Sequence, residues 1–210
     1  MKLYDCATAP NPRRVRIFLA EKNLTIPVVQ VDLRAGEHLK PDYAAINPSK
    51  TVPVLELDDG TRISESVAIC RYLEDSFPEP PLMGVGAKER ALVEMWNRRM
   101  EHDGLFAAGE ALRNAAPGLK GRALAGVDEP VEQIPALAER GRASMARFMR
   151  RLDQRLAESR FIAGDKFSIA DITAFCAIDF ARWAKITPPE DLTHLARWRA
   201  AIAARPSAQA

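Results

Sequence analysis

The chain has 210 residues, with 30 basic against 28 acidic side chains and 3 cysteines. That length accommodates one large domain or two small ones with a sizeable core, and the near-neutral balance argues against a general nucleic-acid binder. Cys6, Cys70 and Cys176 are odd in number and widely spaced, which suggests reduced thiols in a cytosol and not a disulfide framework.

Lys2–Asp5 reads as a short strand that Met1 enters directly, with no secretory leader. After the turn Cys6-Ala7-Thr8-Ala9-Pro10-Asn11, Pro12 sits in the first turn of a helix, where its missing N–H costs nothing. Val15, Phe18 and Leu19 share one side of this helix and Asn23 ends it. Its arginines Arg13, Arg14 and Arg16, like Arg147, Arg150 and Arg151 later, read as solvated helical faces. Ile26–Val31 is a second strand and Pro41–Ile46 a short helix. Val52-Pro53-Val54-Leu55-Glu56 is a strand headed by a proline, which belongs at an edge or turn. Its peptide bond is expected to be trans, since cis is about 5–6% of such bonds. A cis bond would turn the Val52 backbone outward, ready to pair with an extended ligand. Asp58-Asp59-Gly60 is hairpin chemistry, and Ser64-Glu65-Ser66 opens a helix with Ile69, Tyr72 and Leu73 on its apolar side. The order βαβαββα, two parallel strands joined by a helix and then a terminal hairpin, is a thioredoxin-like α/β arrangement.

Pro78-Glu79-Pro80-Pro81 cannot be helix interior. We therefore expect a first domain over 1–78, a linker over 79–86 and an all-α helical domain over 87–210. Lys88 to about Ala115 reads as one long helix with Leu92, Met95 and Trp96 inward. Pro117-Gly118 breaks it, and Ala123–Pro135 is a loop. Ala136–Ser159 follows, with Met145, Phe148, Met149 and Leu152 as its core stripe. Ser168-Ile169-Ala170-Asp171 is a capping box flanked by a Phe167–Ile172 staple, so Asp171 is structural. That helix reaches about Ile186, and Leu192–Ala204 is the last. No apolar run approaches the roughly 18 residues of a membrane span. Gly84-Val85-Gly86 is too short for a phosphate loop. Glu101, His102 and Asp103 cannot all face one way on a helix, so no metal site is expected.

Four segments carry a resemblance: PNPRRVRIFLAEK, GEHLKPDYAAINPSKTVPVLELDDG, SESVAICRYL and FIAGDKFSIADIT. Together they resemble cytosolic-type glutathione transferases over nearly the whole chain, closest to the theta-like or atypical bacterial and fungal branch. The resemblance implies a cytoplasmic detoxification enzyme and homodimer that uses glutathione as co-substrate. Its first domain would bind glutathione, and its helical domain would line a pocket for a small, mostly apolar electrophile. It implies glutathione contacts at His38, Lys50, Thr51, Val52, Pro53, Glu65 and Ser66.

Conjugation needs a thiolate, and a free thiol titrates near 8.5; lowering that by about two units takes roughly 2.7 kcal/mol of anion stabilisation. The family uses a cysteine, serine or tyrosine to supply part of it. Here Pro10 stands where a catalytic serine or cysteine usually does, leaving Asn11, with Thr8 second, as the nearest donors. Two alternatives accompany this reading. One is glutathione-dependent thiol reduction through Cys6, although Cys6 has no C-x-x-C partner and reads more simply as a structural thiol. The other is a non-catalytic ligand-binding protein of the same fold.

Overall fold

Leu3 and Tyr4 sit at the centre of a four-stranded sheet in the computed structural model, which describes residues 1–210. The strands are β1 (Lys2–Asp5), β2 (Val28–Gln30), β3 (Val54–Glu56) and β4 (Arg62–Ser64), in the order β2-β1-β3-β4. β1 runs parallel to β2, with Leu3 opposite Val28, and antiparallel to β3, with Tyr4 opposite Val54. β3 and β4 form the expected hairpin, and Gly60 takes the positive φ of 84° that its turn requires. The connecting helices are α1 (Pro10–Glu21), α2 (Pro41–Ala44) and α3 (Ser66–Ser76). These elements give the thioredoxin-like order read from the sequence.

The chain divides into two compact units. One comprises residues 1–80, 124–130 and Ala210, and the other residues 81–123 and 131–209. Within the first, Phe18, Leu55, Ile69 and Leu73 are fully buried between helix and sheet. Lys22, also buried, sits at the carboxyl end of α1. Its ammonium meets Glu74 at 2.8 Å and donates to the carbonyls of Phe77 (2.7 Å) and Pro80 (2.9 Å). A buried ammonium is tolerable only with such a full set of acceptors. It ties the proline-rich segment to both helices.

Several local expectations change. α1 starts two residues earlier than read, at Pro10. Arg14 is not on a solvated face: it is only 2% exposed, and its guanidinium donates to Asn11 Oδ1 at 3.1 Å. Arg16 pairs with buried Asp5 at 2.5 Å. Arg14 thus meets an acceptor three residues earlier on its own helix, whereas the Arg16–Asp5 pair joins helix to strand and is not revealed by sequence spacing. The Val52–Pro53 bond is cis, against the general preference for trans, as is Glu79–Pro80.

The second unit is helical: α4 (Gly86–Arg99), α5 (Phe106–Arg113), α6 (Pro135–Glu158), α7 (Ile169–Ala181) and α8 (Thr193–Ala203). The single long helix expected from Lys88 is continuous but passes through a π-helical turn at Met100–Leu105. Gly104 lies in that turn, where a Cβ would come within 2.7 Å of the Phe148 ring, so a larger residue there would have to displace that ring. The inward face of α4 is Val93, Asn97 and, one turn on, Met100. Leu92 and Met95 are 41% and 37% exposed, contrary to expectation. Trp96 lies between the guanidinium groups of Arg99 and Arg155, at 4.8 and 4.9 Å. What pulls the helix round is polar: buried Asn97 accepts a hydrogen bond from Thr173 of α7 at 2.7 Å, which a hydrophobic count misses.

The capping box at α7 forms as read. Asp171, fully buried, accepts from Ser168 N–H (3.0 Å) and Oγ (3.2 Å), from Ile162 N–H (3.0 Å) and from Trp198 Nε1 (2.8 Å). One carboxylate therefore caps a helix and pins both the preceding loop and α8. Removing it strands several buried donors, each costing about 1–3 kcal/mol. Asp171→Ala is expected to destabilise the protein by about 3 kcal/mol or more. Urea unfolding followed by circular dichroism measures this, and a loss under about 1 kcal/mol would contradict it.

Candidate functional site

The turn entering β3 is fixed by one carbonyl. Thr51 C=O accepts from Tyr43 Oη at 2.7 Å and from Asn47 Nδ2 at 2.8 Å. The same Nδ2 reaches Thr51 Oγ1 at 3.2 Å, while Asn47 Oδ1 accepts from Ser49 N–H at 3.1 Å and Asn47 C=O from Lys50 N–H at 2.9 Å. Tyr43 and Asn47 are both buried, so these bonds work away from water. Burial pushes the Tyr43 hydroxyl well above the ordinary phenol range, with smaller contributions from Tyr4 and Glu37, and it remains a donor at any working pH. Immediately beyond this clamp, Val52 precedes the cis bond, and neither its N–H nor its C=O enters a backbone hydrogen bond. The strand thus begins with one residue whose polar backbone has no strand partner.

α3 begins after the β3–β4 hairpin, whose register sets Val54 opposite Ser64 and so brings the chain back beside the strand entry. Glu65 is its N-cap with φ 70° and ψ 119°, a conformation that costs a non-glycine residue about 1–3 kcal/mol. Its side chain does not cap the helix, so the first amides of α3 lack a side-chain cap. Ser66, the first helical residue, is buried, and its Oγ donates to Asn11 C=O at 3.3 Å. That bond joins the starts of α1 and α3, 55 residues apart in sequence.

The start of α1 is poorer in donors than a helix dipole argument assumes. Ala9 is its N-cap and uses its N–H on Cys6 C=O, Pro10 and Pro12 have none, and Arg13 N–H turns back to Ala9 C=O. Asn11 therefore supplies the one backbone N–H left at this end. Its side chain is also oriented: a guanidinium can only donate, so the 3.1 Å contact from Arg14 marks Oδ1 and leaves Nδ2 as a second donor. Thr8 is exposed, with Oγ1 3.5 Å from Cys6 Sγ. Cys6 is buried, as are Cys70 and Cys176, and none is in a disulfide.

The structure links Asn11 with Ser66 and frames Thr51, Val52 and Pro53 in one clamped turn. It places the two expected cations differently from a free carboxylate-binding pair. Lys50, at φ 51°, is held in an ion pair with Asp128, and His38 is buried in the short 3-10 turn Glu37–Leu39. Sequence reasoning missed Tyr43 and Asn47, although an asparagine in Asn47-Pro48-Ser49 is a turn-forming signal. In the helical unit, His102, Asp103, Phe106, Phe148, Arg147 and Arg151 line a groove of about 280 Å³.

Comparison with known proteins decides the family. Residues 8–76 match the model for the glutathione S-transferase N-terminal domain, and residues 120–206 that for its C-terminal domain. The chain belongs to the glutathione S-transferase family. It is 38% identical over 209 residues to glutathione S-transferase 2 of Saccharomyces cerevisiae, covering 99% of this chain and 87% of the yeast protein. Among solved structures it resembles a glutathione S-transferase domain-containing protein from Marinobacter aquaeolei, with 44% identity, 99% coverage of each chain and a TM-score of 0.91. It also resembles a Gtt2-class enzyme of Vibrio parahaemolyticus, with 39% identity, coverage of 100% of this chain and 96% of that one, and a TM-score of 0.84. Relatives of this Gtt2 type, from yeast and bacteria, agree with the atypical branch suggested by the sequence motifs. Glutathione is the co-substrate of this family of transferases, and the domain that binds it is present.

The clamp makes a direct prediction. Asn47→Ala removes the three hydrogen bonds that this side chain gives the turn and is expected to destabilise the protein by about 1–3 kcal/mol. Urea unfolding tests it; a loss under about 0.5 kcal/mol would show that the turn holds without this side chain.

Proposed function

We propose that this glutathione transferase conjugates the glutathione thiol to small, mostly apolar electrophiles, and that the peptide lies along Val52 toward the start of α3. The observation that carries the reading is the strand entry at Val52, whose backbone polar groups have no strand partner. Glutathione would pair with that backbone as a short added strand. A carboxylate at Ser66 would be favoured by the start of α3 and would compete with Asn11 C=O for the Ser66 proton. Thr51 and Pro53 shape the turn, Glu65 directs the chain into the helix, and His38 and Lys50 border the site.

The chemistry follows from the donors at α1. In the reaction the thiol proton leaves, the sulfur lone pair forms a bond to the electrophilic carbon, and the electrons of the broken bond depart with the leaving group or onto the acceptor. Asn11 N–H and Nδ2 are the groups available to stabilise the sulfur anion, with Thr8 second. Neither can accept the proton, which goes to water or another base. A neutral hydrogen bond nets about 0.5–1.5 kcal/mol, so two such donors supply up to about two pKa units. Cys6 is buried against Thr8, which disfavours thiol reduction through it. The groove in the helical unit is lined mainly by charged and polar side chains, among them Asp103, Glu110, Arg147 and Arg151, so the apolar character of the second substrate rests on the family resemblance and not on this groove. Detoxification in the cytoplasm is the physiological setting proposed, consistent with three free thiols.

Ultraviolet titration of bound glutathione tests the thiol assignment. Asn11→Ala is expected to raise the bound thiol pKa by about one unit and lower turnover about tenfold at neutral pH, with Cys6→Ala nearly silent. If Cys6→Ala abolishes turnover while Asn11→Ala leaves the titration unchanged, thiol reduction replaces conjugation.

A homodimer is the proposed assembly. Leu92 and Met95, three residues apart on α4 and both well exposed, give that helix an apolar outer strip. Leu92→Glu is expected to shift the sedimentation profile toward monomer at micromolar concentration. A monomeric wild-type protein under the same conditions would overturn this proposal.

A further inference from the structure

Residues 124–130 lie between α5 and α6 in sequence, yet they pack as part of the first unit. Two separate contacts hold this segment on the turn that leads into Val52. At Gly126, φ is 75° and a Cβ would stand 2.4 Å from the Ser49 carbonyl oxygen and 3.2 Å from Thr51 Cγ2. Both the dihedral and the space demand glycine there. Two residues on, the Asp128 carboxylate closes on the Lys50 ammonium. The lysine side chain is the covered member, 18% exposed against 62% for the aspartate. Lys50 is also tied through its N–H to Asn47 C=O and adopts φ 51°. The segment therefore touches Ser49, Lys50 and Thr51 in succession: Asn47 and Tyr43 hold the turn by hydrogen bonds, and the segment holds it by close packing and charge.

We infer that residues 124–130 act as a positioning strap for the glutathione-binding turn, through Gly126 and Asp128. The inference rests on the reading that glutathione pairs with Val52. A turn already ordered in the free protein spares the ligand the entropic cost of ordering it, so the strap sets affinity. The thiol-activating donors at α1 are not in contact with the strap, so chemistry at saturating glutathione is unaffected. The main alternative has the opposite sign. If Lys50 were a direct carboxylate ligand restrained by Asp128, neutralising Asp128 would release it and tighten binding.

The test is calorimetry with glutathione on the full-length wild type and on Gly126→Ala, Asp128→Asn, Asp128→Glu and Ser66→Ala, paired with steady-state kinetics. Asp128→Asn is expected to weaken binding about threefold to fivefold, the scale of a partly exposed ion pair. Gly126→Ala is expected to weaken it about tenfold, from backbone displacement. Asp128→Glu should stay within about twofold of wild type, because the charge is kept. The KM for glutathione should rise by the same factors, with kcat within about twofold. Asp128 is an exposed loop residue, so its variants report even if Gly126→Ala fails to fold. Unchanged or tighter binding in Asp128→Asn would overturn the strap. Ser66→Ala separates the two levels: if it leaves affinity unchanged, the glutathione reading itself fails, whereas weakening by Ser66→Ala alone removes only the strap.

Discussion

The clamp on the Thr51 carbonyl is the constraint on which the strand entry at Val52 depends. Two buried donors, Tyr43 Oη and Asn47 Nδ2, converge on one oxygen. A carbonyl has two lone pairs, and both are used here, so the peptide plane has one orientation left. That plane sets the direction in which Val52 leaves the turn, and so the direction in which its backbone presents itself. Tyr43 is in turn packed with Tyr4 edge to face, at 6.3 Å between centroids, and with Val31 and Val54. The apolar core beside β1 thereby positions a polar group at the strand entry. Packing and presentation are one structure.

The start of α1 shows how composition at a helix end sets which hydrogen-bond donors remain. Prolines at its first and third positions remove two of the donors that ordinarily gather there. The dipole persists, because it belongs to the whole helix, but the hydrogen bonding narrows to Asn11. Arg14 then fixes the asparagine: its contact with Oδ1 orients the amide and leaves Nδ2 as the free donor. An asparagine without that neighbour could present either its acceptor or its donor.

The architecture was legible because each domain uses signals that are local. A proline-headed strand, a Gly60 hairpin and a Ser-x-x-Asp cap are readable within a few residues of themselves, and all three elements formed. The misreadings share a different cause. The bond at Val52–Pro53 and the outward rotation of Leu92 are decided by the surrounding fold, as is the burial of Arg14, whose contact with Asn11 is local but does not by itself bury it. Asn97 is the sharpest case: a polar residue occupies the inward position because Thr173, 76 residues away, donates to it. Of the site, the residue types around Val52 and Ser66 were visible. The convergence of Asn47, Tyr43 and Asp128 on one turn was not, since loop packing leaves no periodic trace in sequence.

Two helix starts in this chain make the distinction between structure and function concrete. α7 has a closed start: Ser168 and Asp171 exchange capping bonds, and Ile162 and Trp198 use the rest of the carboxylate. Nothing there remains to bind a ligand, and everything there stabilises. α3 lacks a side-chain cap, but so do α4, α6 and α8, so that absence alone decides nothing. What sets α3 apart is the conjunction of a buried serine at its first position and a non-glycine residue held at φ 70° before it. A purely structural start at this point would be more stable with glycine in place of Glu65, since at φ 70° and ψ 119°, outside the left-handed helical well, only glycine escapes the steric cost. Strain retained where a better-suited residue was available is the physical reason to read α3, and not α7, as a start shaped for a ligand.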